Sequence, residues 1–278
     1  MTTTALATTL PAVPAGHYRF SGILRAEWTK LRSVRSTTWT LAVTVVLSIG
    51  LGILATATEA SRWSHASLVD KLTFDPTSLS LTGLLFGQLA IGVLGVMAMS
   101  AEYGTGTIRA TFAAAPNRLS VLVAKAVVFT TVALVVSEVV SVAAFFVGQS
   151  ILAGSAPHAT LGQPGVARAV FGGGLYLTVL GLFALGIATI FRHTAGAITA
   201  FVGVLLILPL IDSALPTFLS NAISRYLPAT IGAAMTTVHQ GFRGDAPVFS
   251  PWGGFALLCG YTAVTLVIGA VLLVRRDA

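Results

Sequence analysis

The sequence predicts an all-α membrane protein with six transmembrane helices and with both termini in the cytoplasm. Its 278 residues are 55% hydrophobic and only 9% charged, with a mean hydropathy of +0.89. Soluble domains carry about 25% charged residues, so this chain has too few charges to cover a water-facing surface. Long apolar stretches predict the number of transmembrane helices. The uneven distribution of Lys and Arg predicts the orientation of these helices in the membrane.

Six stretches reach the roughly 20 helical residues that cross a hydrocarbon core. They are 37–58, 79–100, 126–149, 170–191, 195–215 and 253–274. Only Arg192, His193 and Thr194 separate the fourth from the fifth, which predicts a tight hairpin. Residues 1–18 are predicted to be a disordered tail without the features of a secretory signal, so the first span is expected to act as an uncleaved insertion signal. Residues 37–278 then form one six-span transmembrane domain.

The positions of the basic residues predict the orientation of the spans. With the N-terminus inside, the basic residues of the inner connections outnumber those of the outer ones, which is the pattern of the positive-inside rule. This predicts a multi-pass protein of the bacterial plasma membrane with both termini cytoplasmic. Because the charges cluster at span ends, nucleic acid is not an expected partner. The inner set is Arg19, Arg25, Lys30, Arg32, Arg35, Arg109, Arg118, Lys125, Arg192, Arg275 and Arg276; the outer set is Arg62, Lys71, Arg168, Arg225 and Arg243.

Two segments outside the spans are also predicted to be helical. Residues 19–36 place apolar side chains at steps of three or four, with basic side chains on other faces, which is typical of an amphipathic helix in the membrane interface. Membrane lipid is therefore an expected partner. Residues 216–251 contain two moderately apolar pieces divided by Pro228, which predict short external helices before the sixth span.

The connection between the second and third spans holds most of the candidate functional residues. Residues 107–115 are rich in Ala and predict a short helix, with Pro116 after its end. Thr105 or Thr107 is the expected cap, and Gly104 and Gly106 the expected turn. Glu102 is placed to pair with Arg109 or Arg118, and the sequence does not decide between them.

The order Glu102, Gly106-Thr107, Arg109, Pro116 and Arg118 resembles the first cytoplasmic loop of type-2 ABC transporter permeases, the membrane subunits of bacterial ATP-driven exporters. The stretch from Glu27 to Arg35, with Trp28, Lys30 and Arg32, is similar to the N-terminal helix of that family. Tyr226-Leu227-Pro228 before the last span is similar as well. The resemblance extends from about Arg19 over the rest of the chain.

The resemblance implies a permease subunit of an ABC exporter. Two six-span subunits, identical or paralogous, would pair to form the translocation pathway, and each would dock on a separate cytoplasmic ATPase. The segment Gly104–Arg118 would carry the coupling helix that sits in the ATPase. The printed sequence has no G-x-x-x-x-G-K-[ST] phosphate loop, so this chain is not expected to be an enzyme, and the partner would bind ATP and Mg. The alternative for this segment is a solvated basic loop.

Polar side chains within the spans are the remaining candidates. Glu138 lies near the middle of the third span, where an ionised carboxylate is costly, with Ser141 and Gln149 farther along the same helix. It is either a structural, hydrogen-bonded residue or a substrate contact, and a secondary, proton-linked transporter that uses Glu138 is the alternative function. Asp212 lies near the outer end of the fifth span, at the interface or in a gate. No metal site is predicted, and the transported substrate stays open.

Overall fold

The computed structural model describes residues 19–115, 117–238 and 249–275, and its regular structure in those ranges is helical. The predicted tail at 1–18 and Pro116 lie outside the described residues. In chain order the helices are α1 (Phe20–Ser33), α2 (Arg35–Arg62), α3 (Leu68–Thr73), α4 (Pro76–Ser80), α5 (Leu84–Gly104), α6 (Thr107–Ala114), α7 (Arg118–Leu152), α8 (Val166–Phe191), α9 (Thr194–Val202), α10 (Leu208–Ala214), α11 (Thr217–Ile223), α12 (Pro228–Thr236) and α13 (Pro251–Arg275).

Six helical stretches in the described part of the chain are long and apolar enough to cross a membrane, as predicted. Three boundaries differ from the prediction by five residues or more. The first span reaches His65 rather than residue 58, because α2 continues to Arg62 and a short helical turn follows it. The second span begins at Leu84 because Leu79 belongs to the separate helix α4, which Asp75 caps by accepting from the next backbone N–H groups. The third begins at Arg118 because Asn117 caps α7 there. The six stretches are Arg35–His65, Leu84–Gly104, Arg118–Leu152, Val166–Phe191, Thr194–Ala214 and Pro251–Arg275.

Helix α8 forms the centre of the bundle and packs against α5, α7, α9, α12 and α13. Small residues let these helices approach closely. A Cβ on Gly95 of α5 would overlap the carbonyl oxygen of Gly181 on α8. The run Gly172–Gly174 lies inside an uninterrupted α8, with side chains of α5, α7 and α12 close to it. These glycines therefore serve close packing, and α8 is not broken at them.

The hairpin between the fourth and fifth spans forms as predicted. Arg192 ends α8 in the left-handed region, at φ 56°. The ring of His193 then caps α9 by accepting from the backbone N–H of Gly196, 3.3 Å away. Within the fifth span, residues 203–207 form a π-helical turn just before Pro209, whose missing N–H interrupts the regular helical ladder.

The chain between the fifth and sixth spans carries the short helices α11 and α12, and Pro228 is the first residue of α12. Residues 239–248 of this predicted external segment lie outside the described residues. Sequence reasoning missed α3 and α4, between the first and second spans. Their signals were present, because Ser67 and Asp70 form a capping box and Asp75-Pro76 is a helix start.

Candidate coupling site

Helix α6 follows α5 after a turn that needs a glycine. Gly104 ends α5, and Gly106 has φ +71°, in the left-handed region that favours glycine. The predicted turn is correct, but the predicted threonine cap is wrong. Gly106 occupies the N-cap position, and Thr107 is the first helical residue. The Thr105 and Thr107 hydroxyls hydrogen-bond each other at 2.9 Å, and neither caps the helix.

Helix α6 has one buried and one exposed face. Ile108 is buried, and Phe112 packs against a small apolar cluster that includes Ile23 of α1 and Val121 of α7. Arg109 and Ala113 are exposed on the other side. The helix is therefore held to the bundle by its apolar side, and its outward side carries one charge, that of Arg109, among small residues.

Lys125 of α7 lies at the centre of a buried group of charges. Its side chain is only 5% exposed. The ammonium nitrogen donates to Glu27 Oε2 of α1 at 2.6 Å and to Glu102 Oε1 of α5 at 2.5 Å. One lysine thus joins three helices that are distant in sequence.

Lys30 and Thr111 complete the group. Lys30 Nζ donates to Glu27 Oε1 at 2.8 Å, to Glu102 Oε1 at 3.1 Å and to the Thr111 hydroxyl at 3.2 Å. Thr111 of α6 in turn donates to Glu102 Oε2 at 3.2 Å. We call Glu27, Lys30, Glu102 and Lys125 the four-charge cluster. Thr111 connects α6 to it.

The four-charge cluster is electrically neutral, because its two carboxylates balance its two ammonium groups. This balance lowers the free-energy cost of burying the charges. Burial alone lowers the pKa of Lys30, but the hydrogen bond and negative charge of Glu27, together with those of Glu102, outweigh it and raise this pKa above the ordinary 10.5. Removing one partner of a buried ion pair costs about 3–5 kcal/mol, because the other charge is left uncompensated. The cluster therefore holds α1, α5 and α7 in one arrangement.

The predicted pairing of Glu102 with Arg109 or Arg118 is wrong. Glu102 pairs with Lys30 and Lys125 instead. The left-handed turn before α6 brings Thr111, rather than Arg109, next to Glu102. The sequence predicted a position of Lys125 on the inner side but no role for it. The feature that could have indicated a role is that Lys125 is a single charge within an otherwise apolar stretch of α7.

Two arginines hold the last turn of α13 beside the cluster. Arg118 Nη1 donates to the carbonyl of Leu273, and Arg192 Nη2 donates to the carbonyl of Leu272, both at 2.9 Å. Their guanidinium groups lie over the rings of Phe112 and Tyr103, at 5.2 and 5.5 Å from the ring centroids. Positive charge stabilises a helix C-terminus. The bundle end that contains α1, α6 and this last turn of α13 is called the α6 end below.

A model of a protein family described as "ABC-2 family transporter protein" matches residues 23–223, which is well over half of the chain. The chain belongs to the ABC-2 transporter family. It is therefore a multi-pass membrane permease, not a nucleotide-binding domain, and the resemblance seen in the sequence is confirmed. Among curated proteins, no sequence matches it.

The family match covers the whole four-charge cluster of this ABC-2 permease. Of the candidates on α1, Glu27 and Lys30 belong to the cluster, whereas Trp28 and Arg32 are exposed. Exposure of Trp28 is 47%, which is high for a tryptophan of a folded helix. The inward side of α1 thus holds charges, and its outward side carries an aromatic ring and an arginine.

The polar residues of the third span do not converge on one site in the ABC-2 permease. Glu138 lies against Gly174, where a Cβ would come within 2.5 Å of the carboxyl carbon. Its Oε2 is buried and has no hydrogen-bond partner among the described residues. Ser141 donates to the carbonyl of Val170 at 2.6 Å, so it ties α7 to α8. The family match does not favour the proton-linked alternative for Glu138.

Gln149 and Asp212 have structural contacts at the opposite end of the bundle. Gln149 Nε2 donates to the carbonyl of Pro76 and to the Ser80 hydroxyl at 2.9 and 2.8 Å, and its Oε1 accepts from Ala159 N–H at 2.6 Å. It therefore fastens α4 to the loop after α7. Asp212 Oδ2 accepts from the Ser220 hydroxyl at 3.2 Å and joins α10 to α11.

Proposed function

We propose that this ABC-2 permease is the membrane subunit of an ATP-driven exporter and that a separate ATP-binding subunit docks at the α6 end. Family membership supports a permease, and the printed sequence has no phosphate loop of its own. The partner would bind ATP and Mg. The exposed face of α6, with Arg109 at its centre, is the proposed docking surface.

The four-charge cluster is the feature that carries the proposal. A force applied to α6 reaches Thr111, and Thr111 is hydrogen-bonded to both Lys30 and Glu102. Lys125, which donates to the carboxylate of Glu102, links this group to α7. Closure of the ATPase would therefore move α1, α5 and α7 together and tilt the spans between inward- and outward-facing states.

The charge distribution supports a cytoplasmic position for the α6 end in a bacterial plasma membrane. Among the described residues, most Lys and Arg side chains belong to that end or to the N-terminal helix, as the positive-inside rule requires. The exposed Trp28 of α1, with the exposed Arg25 and Arg32 one turn away on either side, suits an interfacial helix whose arginines contact lipid phosphates.

Dimerisation with a second copy or a paralogue is part of the proposal. In the most apolar window of the fifth span only 17% of residues are buried within the chain, compared with 72% for α8. The first span and α13 are at 22%. These exposed apolar faces leave surface for a second permease subunit, and the pair would enclose the translocation pathway.

Co-purification tests the proposal. We expect the tagged permease, extracted in mild detergent, to bring with it a protein that contains a phosphate loop and hydrolyses ATP. Arg109→Glu should reduce the recovered ATPase at least several-fold, because it reverses the charge at the centre of the docking surface. Arg62→Glu is the matched control. It changes an exposed arginine at the C-terminal end of α2, far from α6, and should leave the recovery of ATPase unchanged. Equal recovery from both variants would contradict docking at α6.

A further inference from the structure

A cavity of about 130 Å³ lies between α5, α8 and α12. It is near the first residues of α5, at the opposite end of that helix from α6. Its walls combine apolar side chains such as Leu84 and Ala233 with the hydroxyls of Thr82 and Thr236. None of its lining residues is charged. None of the predicted site residues belongs to it, so it is a separate feature of the permease.

Gln88, one of the residues around the cavity, carries a buried hydrogen-bond donor that has no acceptor among the described residues. The residue is only 2% exposed. Its Oε1 accepts from the Tyr176 hydroxyl at 2.6 Å, whereas its Nε2 is buried without an acceptor among the described residues. Buried amide groups in native proteins almost always have a partner, so an unsatisfied one on a residue that borders a cavity points to a ligand or water beside it.

The amide of Gln88 is held in place by the surrounding packing. Tyr176 is itself 3% exposed, and its hydroxyl fixes the amide from one side. Gly232 of α12 lies against that ring, because a Cβ at this position would overlap the ring atoms of Tyr176. The donor is therefore preorganised, which reduces the entropy lost on binding.

We propose that this cavity, which we call the Gln88 cavity, binds the neutral, hydrogen-bond-accepting head of an amphipathic compound. A hydroxyl, carbonyl or ether oxygen accepts from Gln88 Nε2, while the alkyl part contacts Leu84 and Ala233. A charged head is excluded because no lining residue carries a counter-charge, and an unpaired charge in such a place is strongly unfavourable. This binding does not depend on the proposed exporter function. A role of the cavity as a contact for exported cargo rests on that function.

The test uses the full-length permease in lipid nanodiscs and an octanol that carries a diazirine near the end of its chain. After irradiation, we expect mass spectrometry to locate saturable adducts in residues 81–88 and 229–236, and unlabelled octanol to compete with them. Gln88→Leu should weaken competition about three- to tenfold, as expected for one lost hydrogen bond. Ala233→Leu should abolish labelling by filling the cavity. Thr230→Leu, on the same helix but outside the cavity lining, should have no effect.

Each of the following results would overturn the proposal: adducts spread without saturation over lipid-facing side chains, unchanged competition in Gln88→Leu, or octylammonium competing as well as octanol. A cavity that holds only water gives no saturable adducts and overturns it too. Tyr176→Phe removes the orienting hydroxyl but keeps the ring, so it weakens competition even where Gln88→Leu does not fold. Saturable labelling together with a failure to recover any ATPase would support the cavity and refute the exporter.

Discussion

Replacing Lys125 with methionine tests the four-charge cluster most severely. The variant keeps most of the apolar stem but leaves the carboxylates of Glu27 and Glu102, whose side chains are 4% and 10% exposed, with Lys30 as their one remaining partner in the cluster. The buried group then carries a net charge of −1. We expect the free energy of unfolding to fall by about 3–5 kcal/mol, the usual effect of breaking a buried ion pair. Denaturant titration in detergent micelles measures it.

The control is Lys71→Met at an exposed lysine of α3, whose ammonium lies over the Trp63 ring at 5.9 Å from the centroid, and it should change the free energy of unfolding by no more than about 1 kcal/mol. The double variant Glu27→Gln/Lys125→Met restores neutrality, because Lys30 and Glu102 remain as a pair. It should therefore recover at least about 1 kcal/mol relative to the sum of the two single variants. A Lys125→Met protein as stable as Lys71→Met, or strictly additive single effects, would refute the reasoning.

Three further predictions concern packing, polar contacts and pH. Gly95→Ala should lower the free energy of unfolding by roughly 1–3 kcal/mol because its Cβ would overlap a carbonyl of α8, whereas Gly50→Ala, with open space around it, should not; equal losses contradict this packing. Gln149→Leu should lower the free energy of unfolding by about 1–3 kcal/mol in the same titration, because it leaves the backbone partners of Gln149 unsatisfied. The exposed Gln163→Leu should leave this free energy unchanged. An unchanged free energy in Gln149→Leu would argue against a structural role for these hydrogen bonds. Because the pKa of Lys30 is raised in the folded state, its contribution to stability is complete below pH 10.5 and is lost as the pH rises through the higher folded value. The difference in unfolding temperature between wild type and Lys30→Met should therefore shrink only in that alkaline range, and a loss near neutral pH would contradict it.

The spans and their hairpin could be predicted because they depend on local properties of the sequence. A helix that crosses a membrane satisfies its backbone groups internally, so length and hydropathy are enough to reveal it. The three polar residues from Arg192 to Thr194 were sufficient to indicate the turn. The short helices α3 and α4 were missed because six and five residues are too few to show a periodicity. Their capping residues alone marked them.

The partners of Glu102 could not be predicted from nearby sequence. Lys30 precedes it by 72 residues and Lys125 follows it by 23, so both contacts depend on how α1 and α7 pack beside α5. Local spacing suggested the arginines of the α6 segment. Arg118 instead turns to the end of α13. The Nε2 group of Gln88, which has no acceptor among the described residues, also has no sequence signal, since its state depends on burial and on the contact of Oε1 with Tyr176.

Site-specific cross-linking tests the central claim, docking of the ATPase at the α6 end, most directly. A photoreactive phenylalanine analogue placed at Ala113, on the exposed face of α6, should cross-link in intact cells to a protein with a phosphate loop. The same analogue at Leu72, exposed on α3 at the other end of the bundle, should not. Cross-linking of the ATPase from position 72 would contradict both the docking surface and the proposed orientation, and cross-linking from neither position would contradict the docking surface.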